Sequence, residues 1–574
     1  MIGIKIRNEW LDLRPDTQMS FSLTNPLYLG GNADVIQGSY SFPINIPLTP
    51  RNRLILDTPD RITSTKPLLK KEPTEVWFQG VRLFPGEATI STSSNTSASL
   101  YVVVNNLSAL KSLKMNELDL GTAELGDNHA EVLANAYATA LAPFDKDWLF
   151  FPLWNPGFGI DENTDDSYSY QNVFFQNPWN PEIQNNVIGR FETNGPITPF
   201  FKLRFILERM MGNLGFDANV EFLDDREKEL ISLYSNKDIR LNGVLPTSVE
   251  IAECMNSESS SNFLKNSLRL FNAAPIVNIF ENVVEFLSLR NVLKRSTKND
   301  WTKFAQVAYS VEQTIDYPGS FRFKNDRAGI IKDIENQPII TVPSLDGLIG
   351  TDGVKLYYVE DQDRYIYVDG ELAATISPII LENEVIEDVD ADTYESAISF
   401  LPTFRTLFQN KGSYAFDTHG IFQQGTFFQG NVQQSANFEN RLLWYRGLHQ
   451  NRNGAYGPES TAEIKEMFGG QVQVGFTGNV NGLPPELIGE DAKHSGNWPG
   501  EEGIHQNSWS GISDLLNDNK RVSRLFNLPL SEIVRFTFAN KVRVENMDYL
   551  VRNLNVTLTN SGLKPTKASL LAVV

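Results

Sequence analysis

Five histidines stand in the chain, His129, His419, His449, His494 and His505, and none has the HExxH spacing or another close metal-binding spacing. The densest group is His494, Glu501, Glu502 and His505, in a stretch that also bears Gly, Asn and Trp. Two imidazoles and a carboxylate suit a transition metal if such a loop folds back on itself. Polar loops gather the same residues without any ligand, and that plainer reading is preferred. Asp388, Asp390 and Asp392 begin like a calcium loop, but Thr393 stands where the turn glycine belongs and Ser399 where the bidentate carboxylate belongs. A solvated acidic turn fits better. Gly347-Leu348-Ile349-Gly350 lacks the Lys-Ser/Thr pair and the helix of a phosphate loop. Cys254 has no local catalytic motif, and no GxSxG segment occurs.

Sugar hydrolysis needs only two carboxylates, and 70 acidic residues supply many pairs. Asp145 and Asp147, beside Trp148, are the pair to inspect first, although surface carboxylates next to a packed tryptophan are the simpler explanation. The stretch 148–189 holds Trp154-Asn155-Pro156-Gly157-Phe158-Gly159 and Asn177-Pro178-Trp179-Asn180-Pro181. Asn, Pro and Gly forbid long regular structure there. Its aromatic rings could stack on sugars, but burial at a subunit interface accounts for them better. No catalytic residue, cofactor site or metal site is assigned, and the chain is read as a non-enzyme.

The elements around these residues are mostly strands. Tyr40, Phe42, Ile44, Ile46 and Leu48 alternate with polar residues or proline, which predicts one apolar face on a core. Pro43 and Pro47 lack backbone donors, so an edge strand or extended arm is expected. Further strands are expected over 76–90 and 99–104. A helix over 129–141 is capped by Asp127 and stopped before Pro143. Another begins after Thr198 as cap, with Pro199 at its first position and Gly215 at its exit. It carries an apolar stripe of Leu203, Ile206, Leu207, Met210, Met211 and Leu214. A helix over 261–271 leads into a hairpin, 275–280 and 283–287, joined by Glu281-Asn282. Strands return over 354–359, 364–368 and 373–380, and helices over 460–468 and 511–517. The end is read as four strands, 533–538, 541–545, 549–558 and 568–573, with the tightest turn at Asn546-Met547-Asp548. No fixed-period repeat appears.

At 574 residues the chain exceeds what one core supports. Five segments are expected: an N-terminal β domain at 1–125, a helix plus aromatic loop at 126–197, an α+β helix-hairpin domain at 198–304, a β-rich domain at 305–450, and a mixed region at 451–574 closing in a C-terminal β domain. The fold class is multidomain α+β, β-rich, with hub-like β domains and an inserted helix-helix-hairpin unit. With 41% hydrophobic and 21% charged residues, long disorder is excluded. A net charge of −20 argues against a general nucleic-acid binder. A single cysteine allows no internal disulfide and suits synthesis in a reducing cytoplasm. The start, Met1-Ile2-Gly3-Ile4-Lys5-Ile6-Arg7, lacks a secretory apolar core, and no uncharged apolar run approaches the ~20 residues of a membrane span.

Several stretches together resemble a tail protein family of phages and prophages of Bacteroidota. The resemblance rests on Thr24-Asn25-Pro26-Leu27, on Ser41-Phe42-Pro43-Ile44-Asn45-Ile46-Pro47-Leu48-Thr49-Pro50-Arg51-Asn52, and on Asp300-Trp301-Thr302-Lys303. Arg441-Leu442-Leu443-Trp444-Tyr445-Arg446-Gly447 and Gly562-Leu563-Lys564-Pro565-Thr566 add to it. It implies a structural, baseplate hub-like protein at the distal end of a tail tube, in a virion made in the bacterial cytoplasm. Implied partners are copies of itself (a trimer ahead of a hexamer), the tail tube, distal tail and tip or fibre proteins, and the tape measure protein. DNA would pass without specific binding. A distal tail adaptor ring, a carbohydrate- or receptor-binding tip protein and a glycosidase are the alternatives.

Overall fold

The computed structural model describes residues 1–27, 39–61, 68–69, 71–104, 110, 113–154, 175–177, 179–180, 190–191, 197–240, 244–278, 281–312, 321–325, 338–344, 351–360, 364–370, 372–376, 384–386, 392–396, 400, 403–407, 419–421, 427–429, 432–434, 440–451, 471–477, 494–498, 500–512, 515 and 521–573. Gly347 to Gly350, Asp388 to Ala391, the helix expected at 460–468 and most of the aromatic stretch 148–189 lie outside the described residues.

Among the described residues, fifteen strands join in one sheet that takes its members from both ends of the chain. Its order runs Glu9–Trp10, Ile2–Ile6, Glu72–Phe78, Val81–Ser93, Ser97–Val104, Ser39–Ser41, Gln18–Thr24, Met547–Thr559, Thr566–Val573, Arg521–Phe526 and Ala305–Glu312. Ile44–Pro47, Asn299–Asp300, Val542–Val544 and Gly562–Leu563 attach beside this path. The first and last strands of the chain are thus parts of one object. Its seam is antiparallel: Met19 faces Leu558, Phe21 faces Val556 and Leu23 faces Leu554, all buried. The alternation of period two fixes that register, because a slip of one residue would turn every one of these side chains to the other face.

Several local expectations are corrected. Tyr40 and Phe42 are 46% and 47% exposed, whereas Ile44, Ile46 and Leu48 are buried. Pro43 interrupts the strand, so the side-chain phase changes across it and the apolar run does not share one face. Its first piece, Ser39–Ser41, lies inside the sheet between Gln18–Thr24 and Ser97–Val104 rather than at an edge. The helix expected from Pro199 begins later, as Leu203–Asn213, because Phe200–Phe201 pairs with Trp148–Leu149 first. Gly215, at φ +81°, ends it as expected. In the hairpin Ala273–Asn278 with Val283–Ser288, Asn278 faces Val283, so four residues connect the strands rather than two. Finally, the expected strand at 533–538 is mostly the helix Leu530–Arg535, led in by Pro529. Proline's fixed φ favours such a start. The tight turn next to it is Glu545-Asn546, both at positive φ, between the facing residues Val544 and Met547.

Other elements match their expected spans. The helix His129–Leu141 has its expected span, but its cap is Asn128 rather than Asp127: the Asn128 side chain accepts from the Glu131 amide at 3.1 Å, while Asp127 contributes only its amide, which donates to the Glu131 carboxylate at 3.1 Å. The helix Ser260–Leu270 buries Phe263, Leu264, Leu268 and Leu270. A second sheet of eight strands includes Thr351–Val359, Arg364–Gly370 and Leu372–Ile376 as an antiparallel meander. Among the described residues, nearly all the buried apolar side chains form one cluster that runs from Ile2 to Leu571. The molecule is strand-rich α+β.

Candidate functional site

Among the described residues, charge and aromatic rings gather where three remote segments meet, 221–230, 440–446 and 494–498. The strand Leu442–Asn451 enters beside Ile231–Leu233, with Trp444 facing Ile231. Arg446 is fully buried, its guanidinium 4.2 Å from the Trp444 ring centre and 2.8 Å from the Glu227 carboxylate. It also donates to the His494 carbonyl. Trp444 donates through Nε1 to the Glu227 carbonyl at 2.7 Å and stacks on Phe400 at 5.4 Å. On the same indole lies the His494 ring, nearly parallel at 14° and 6.2 Å, with Nε2 3.2 Å from Asp225. Tyr445 points the other way, stacking on Phe151 at 4.8 Å and donating to the Ala140 carbonyl at 2.8 Å.

The protonation states follow from burial. It presses the Arg446 guanidinium below its ordinary value, against the opposing pull of Glu227. Burial, then the nearby Lys228, lower the His494 imidazole, so the neutral ring is favoured. Burial alone would raise Asp225, but bonds from the Glu227 amide and His494 hold it below the usual carboxylate range. Arg446 is matched to Glu227 and His494 to Asp225, an arrangement that joins segments.

The remaining candidates disperse. The loop at 494–505 does fold back, the Ser495 amide donating to the Glu502 carbonyl at 2.6 Å and the His505 amide to the Trp498 carbonyl at 3.2 Å. It does so through backbone, with His494 turned to Asp225 and with Glu501 and Glu502 exposed. Among the described residues, no group of three His, Cys, Asp or Glu is gathered to hold a metal ion. Cys254 is fully buried, and burial pushes its thiol up to about 12, where it is neither nucleophile nor ligand.

Asp145 and Asp147 are exposed while Trp148 is buried. Their charges act on two groups that sequence reasoning did not select. Lys202, 7% exposed, is held below its ordinary value by burial, against the pull of Asp147, Glu229 and Asp145. Glu208, half-buried on the helix Leu203–Asn213, is raised by burial and further by Asp147, while Arg204 opposes. The helical stripe could have revealed Glu208, which sits one residue from buried Leu207.

Several motif residues bond within the chain to other segments. Asn25 is buried. Its side chain donates to the Val551 carbonyl at 2.8 Å and accepts from Leu27 at 2.9 Å, and its amide donates to Arg552 at 2.8 Å. Asn52, fully buried, donates to the carbonyls of Asp12 and Pro47 at 2.8 and 2.7 Å and accepts from the Asp12 amide at 2.9 Å. Thr49 caps the helix Pro50–Ile55 by accepting from the Asn52 amide at 3.1 Å. Trp301, fully buried, lies between Phe526 and Phe536 at 5.4 and 5.5 Å, and its amide donates to the Arg543 carbonyl. Lys564 reaches Gln18 at 2.7 Å across the seam.

No family model matches the chain, and no curated protein matches it in sequence. Solved structures align along nearly its whole length. The prophage MuSo2 43 kDa tail protein from Shewanella oneidensis gives a TM-score of 0.33 at 7% identity, covering 99% of this chain and 97% of that one. The tail protein from Neisseria meningitidis MC58 gives 0.31 at 6%, covering 99% and 95%. Prophage tail protein gp18 from Listeria monocytogenes EGD-e gives 0.29 at 7%, covering 100% and 94%. Likenesses this faint carry no argument on fold or role. No helix among the described residues is long and apolar enough to cross a membrane.

Proposed function

We propose that the chain is a non-enzymatic structural subunit of a phage-type tail tip, a baseplate hub-like protein that assembles with its own copies and with neighbouring tail proteins. The observation that carries the reading is that every described motif behind the family resemblance builds a junction between remote segments. Asn25 and Lys564 fasten the two chain ends together, and Arg446 fastens 494–498 to 221–230. A chain tied together in this way suits a part that transmits force and position. The net charge of −20 would keep passing DNA from adhering to a channel lined by such subunits. Cryo-electron microscopy of the virion tests the assignment. Density for this chain in a ring at the distal end of the tube is expected, and its absence from the particle would overturn the reading. A ring just above the tip would replace the hub by a distal tail adaptor.

The second reading, a glycosidase or sugar-binding tip protein, is favoured by Glu208, a half-buried carboxyl raised by burial within reach of the Asp147 charge. Glycoside hydrolysis uses a carboxylic acid whose titration is raised together with a second carboxyl group. Release of reducing ends from peptidoglycan or polysaccharide by the purified chain, abolished in Glu208→Gln, would establish it in place of the structural reading. No turnover is expected.

A further inference from the structure

Two tryptophans stand side by side on the outer face of the large sheet, at the end formed by the first strands of the chain. Ile2–Ile6 buries Ile2, Ile4 and Ile6 and so turns Gly3 and Lys5 outward. The strand registers set two rows on that face: Trp10, Lys5 and Glu75, and beside it Gly3, Trp77 and Arg82. The Trp10 indole lies across Gly3, where an added Cβ would come within 2.7 Å of its Cζ3 atom. Trp77 meets it edge-on, ring centres 5.7 Å apart, and is itself fixed by Nε1 donating to Glu75 at 3.0 Å. Trp10 is nevertheless 42% exposed. Charged groups flank the rings. Lys5 Nζ stands 5.9 Å from the Trp10 ring centre, and Arg82, its side chain 45% exposed, pairs with Glu75 through Nε at 3.2 Å.

Three features select the occupant. The indole is placed in advance, because a side chain at position 3 would push it off the sheet, and a flat ligand meets a ring that is already ordered. The face of an indole carries negative charge density, which suits the C–H face of a pyranose ring. The flanking groups are those that sugar hydroxyls and acids bond to, and of the three charged side chains in the two rows two are cations, Lys5 and Arg82. The centre of a protein interface is depleted of charge, so a protein partner fits this patch poorly. A nucleic acid would also stack, but it carries a charge at every phosphate and the chain at −20 repels it at long range. We propose that Trp10, braced by Trp77 and flanked by Lys5 and Arg82, binds a glycan residue that carries a carboxylate or a phosphate. No bond is made or broken at this surface, and the inference stands beside the assembly reading without depending on it.

A glycan array probed with the full-length chain tests it, printed with neutral oligosaccharides and with their uronic-acid and sugar-phosphate counterparts. Binding to acidic members ahead of neutral ones is expected, and which acidic set binds names the acid group. Calorimetric titration with the best-bound oligosaccharide then compares wild type with Trp10→Ala. A loss of affinity of about tenfold or more is expected for the variant. Binding to no member of the array, or equal affinity in folded Trp10→Ala, would overturn the proposal. Neither result touches the assembly reading, which the virion density decides. Should Trp10→Ala not fold, the Lys5→Gln/Arg82→Gln double variant keeps both indoles and is expected to lose the preference for acidic members. A preference that persists there would overturn the proposal.

Discussion

The seam of the large sheet and the junction at Trp444 solve one problem, tying together segments hundreds of residues apart, by opposite means. At the seam, Gln18–Thr24 meets Met547–Thr559 through a backbone ladder over buried Met19, Phe21, Leu554 and Val556, and the polar side chains stay on the outer face. At the junction, Arg446 is taken fully into the interior and paired with the mostly buried Glu227, and His494 lies on the same indole and reaches out to the exposed Asp225. Apolar burial is non-directional, so the seam draws its specificity from register. Buried charge is directional and unforgiving, because losing either partner strands the other. The two regions therefore differ less in strength than in what breaks them.

The largest effect is expected at the junction. Arg446→Ala leaves Glu227 uncompensated and empties the space over Trp444, a loss of about 3–5 kcal/mol. Denaturant unfolding of variant and wild type measures it. The comparison sharpens with Arg446→Met combined with Glu227→Gln, which removes both charges and keeps most of the volume. Recovery of more than half of the lost stability is expected, and no recovery would mean that the ion pair is not what the junction depends on. At the seam, Asn25→Ala should cost less, about 1–3 kcal/mol, by leaving the Val551 carbonyl and the Leu27 amide without their side-chain partner. If Asn25→Ala costs more than Arg446→Ala in the same assay, the contrast between the two regions fails.

How far the sequence reveals these regions depends on the range of the interaction. Local periodicity gives the span of the helix His129–Leu141 to the residue, with the cap one position later than expected, and it gives the existence of the hairpin, because these determinants lie within a few positions. The seam could not be read that way. Nothing in Gln18–Thr24 names Met547–Thr559 as its partner, and non-local pairing leaves only the shared period of two. Pro43 shows a subtler loss: the alternation through Tyr40 and Ile44 looks continuous, yet the proline shifts its phase and sends two aromatics outward. The helix start at Leu203 was hidden because Thr198 and Pro199 satisfy local capping rules that the pairing of Phe200–Phe201 with Trp148–Leu149 overrides. Among the site candidates, His494 was visible as a residue but not by its role. Its partners Asp225 and Trp444 lie 269 and 50 positions away along the chain.

The smallest effect distinguishes the two regions by pH. The folded protein lowers the His494 imidazole, by burial and by Lys228, so neutral His494 contributes stability that is fully present above the ordinary histidine value near ~6.5. As pH falls below that value the unfolded chain takes up the proton first, and the contribution is lost toward the lower folded value. Asp225, held below the usual carboxylate range, loses its contribution in the same direction at still lower pH. The charged groups acting on the ring are Asp225, Glu227 and Lys228 from one segment, while Arg446 holds the His494 carbonyl rather than the ring. Stability measured between pH 7.5 and 5 should therefore fall by more in wild type than in His494→Gln, whose amide can still reach Asp225 but cannot titrate. Asn25→Ala should leave the wild-type slope unchanged, since no titrating side chain bonds to the Asn25 side chain. Equal slopes for wild type and His494→Gln would show that the acid response arises elsewhere, and the junction would then share the seam's indifference to protons.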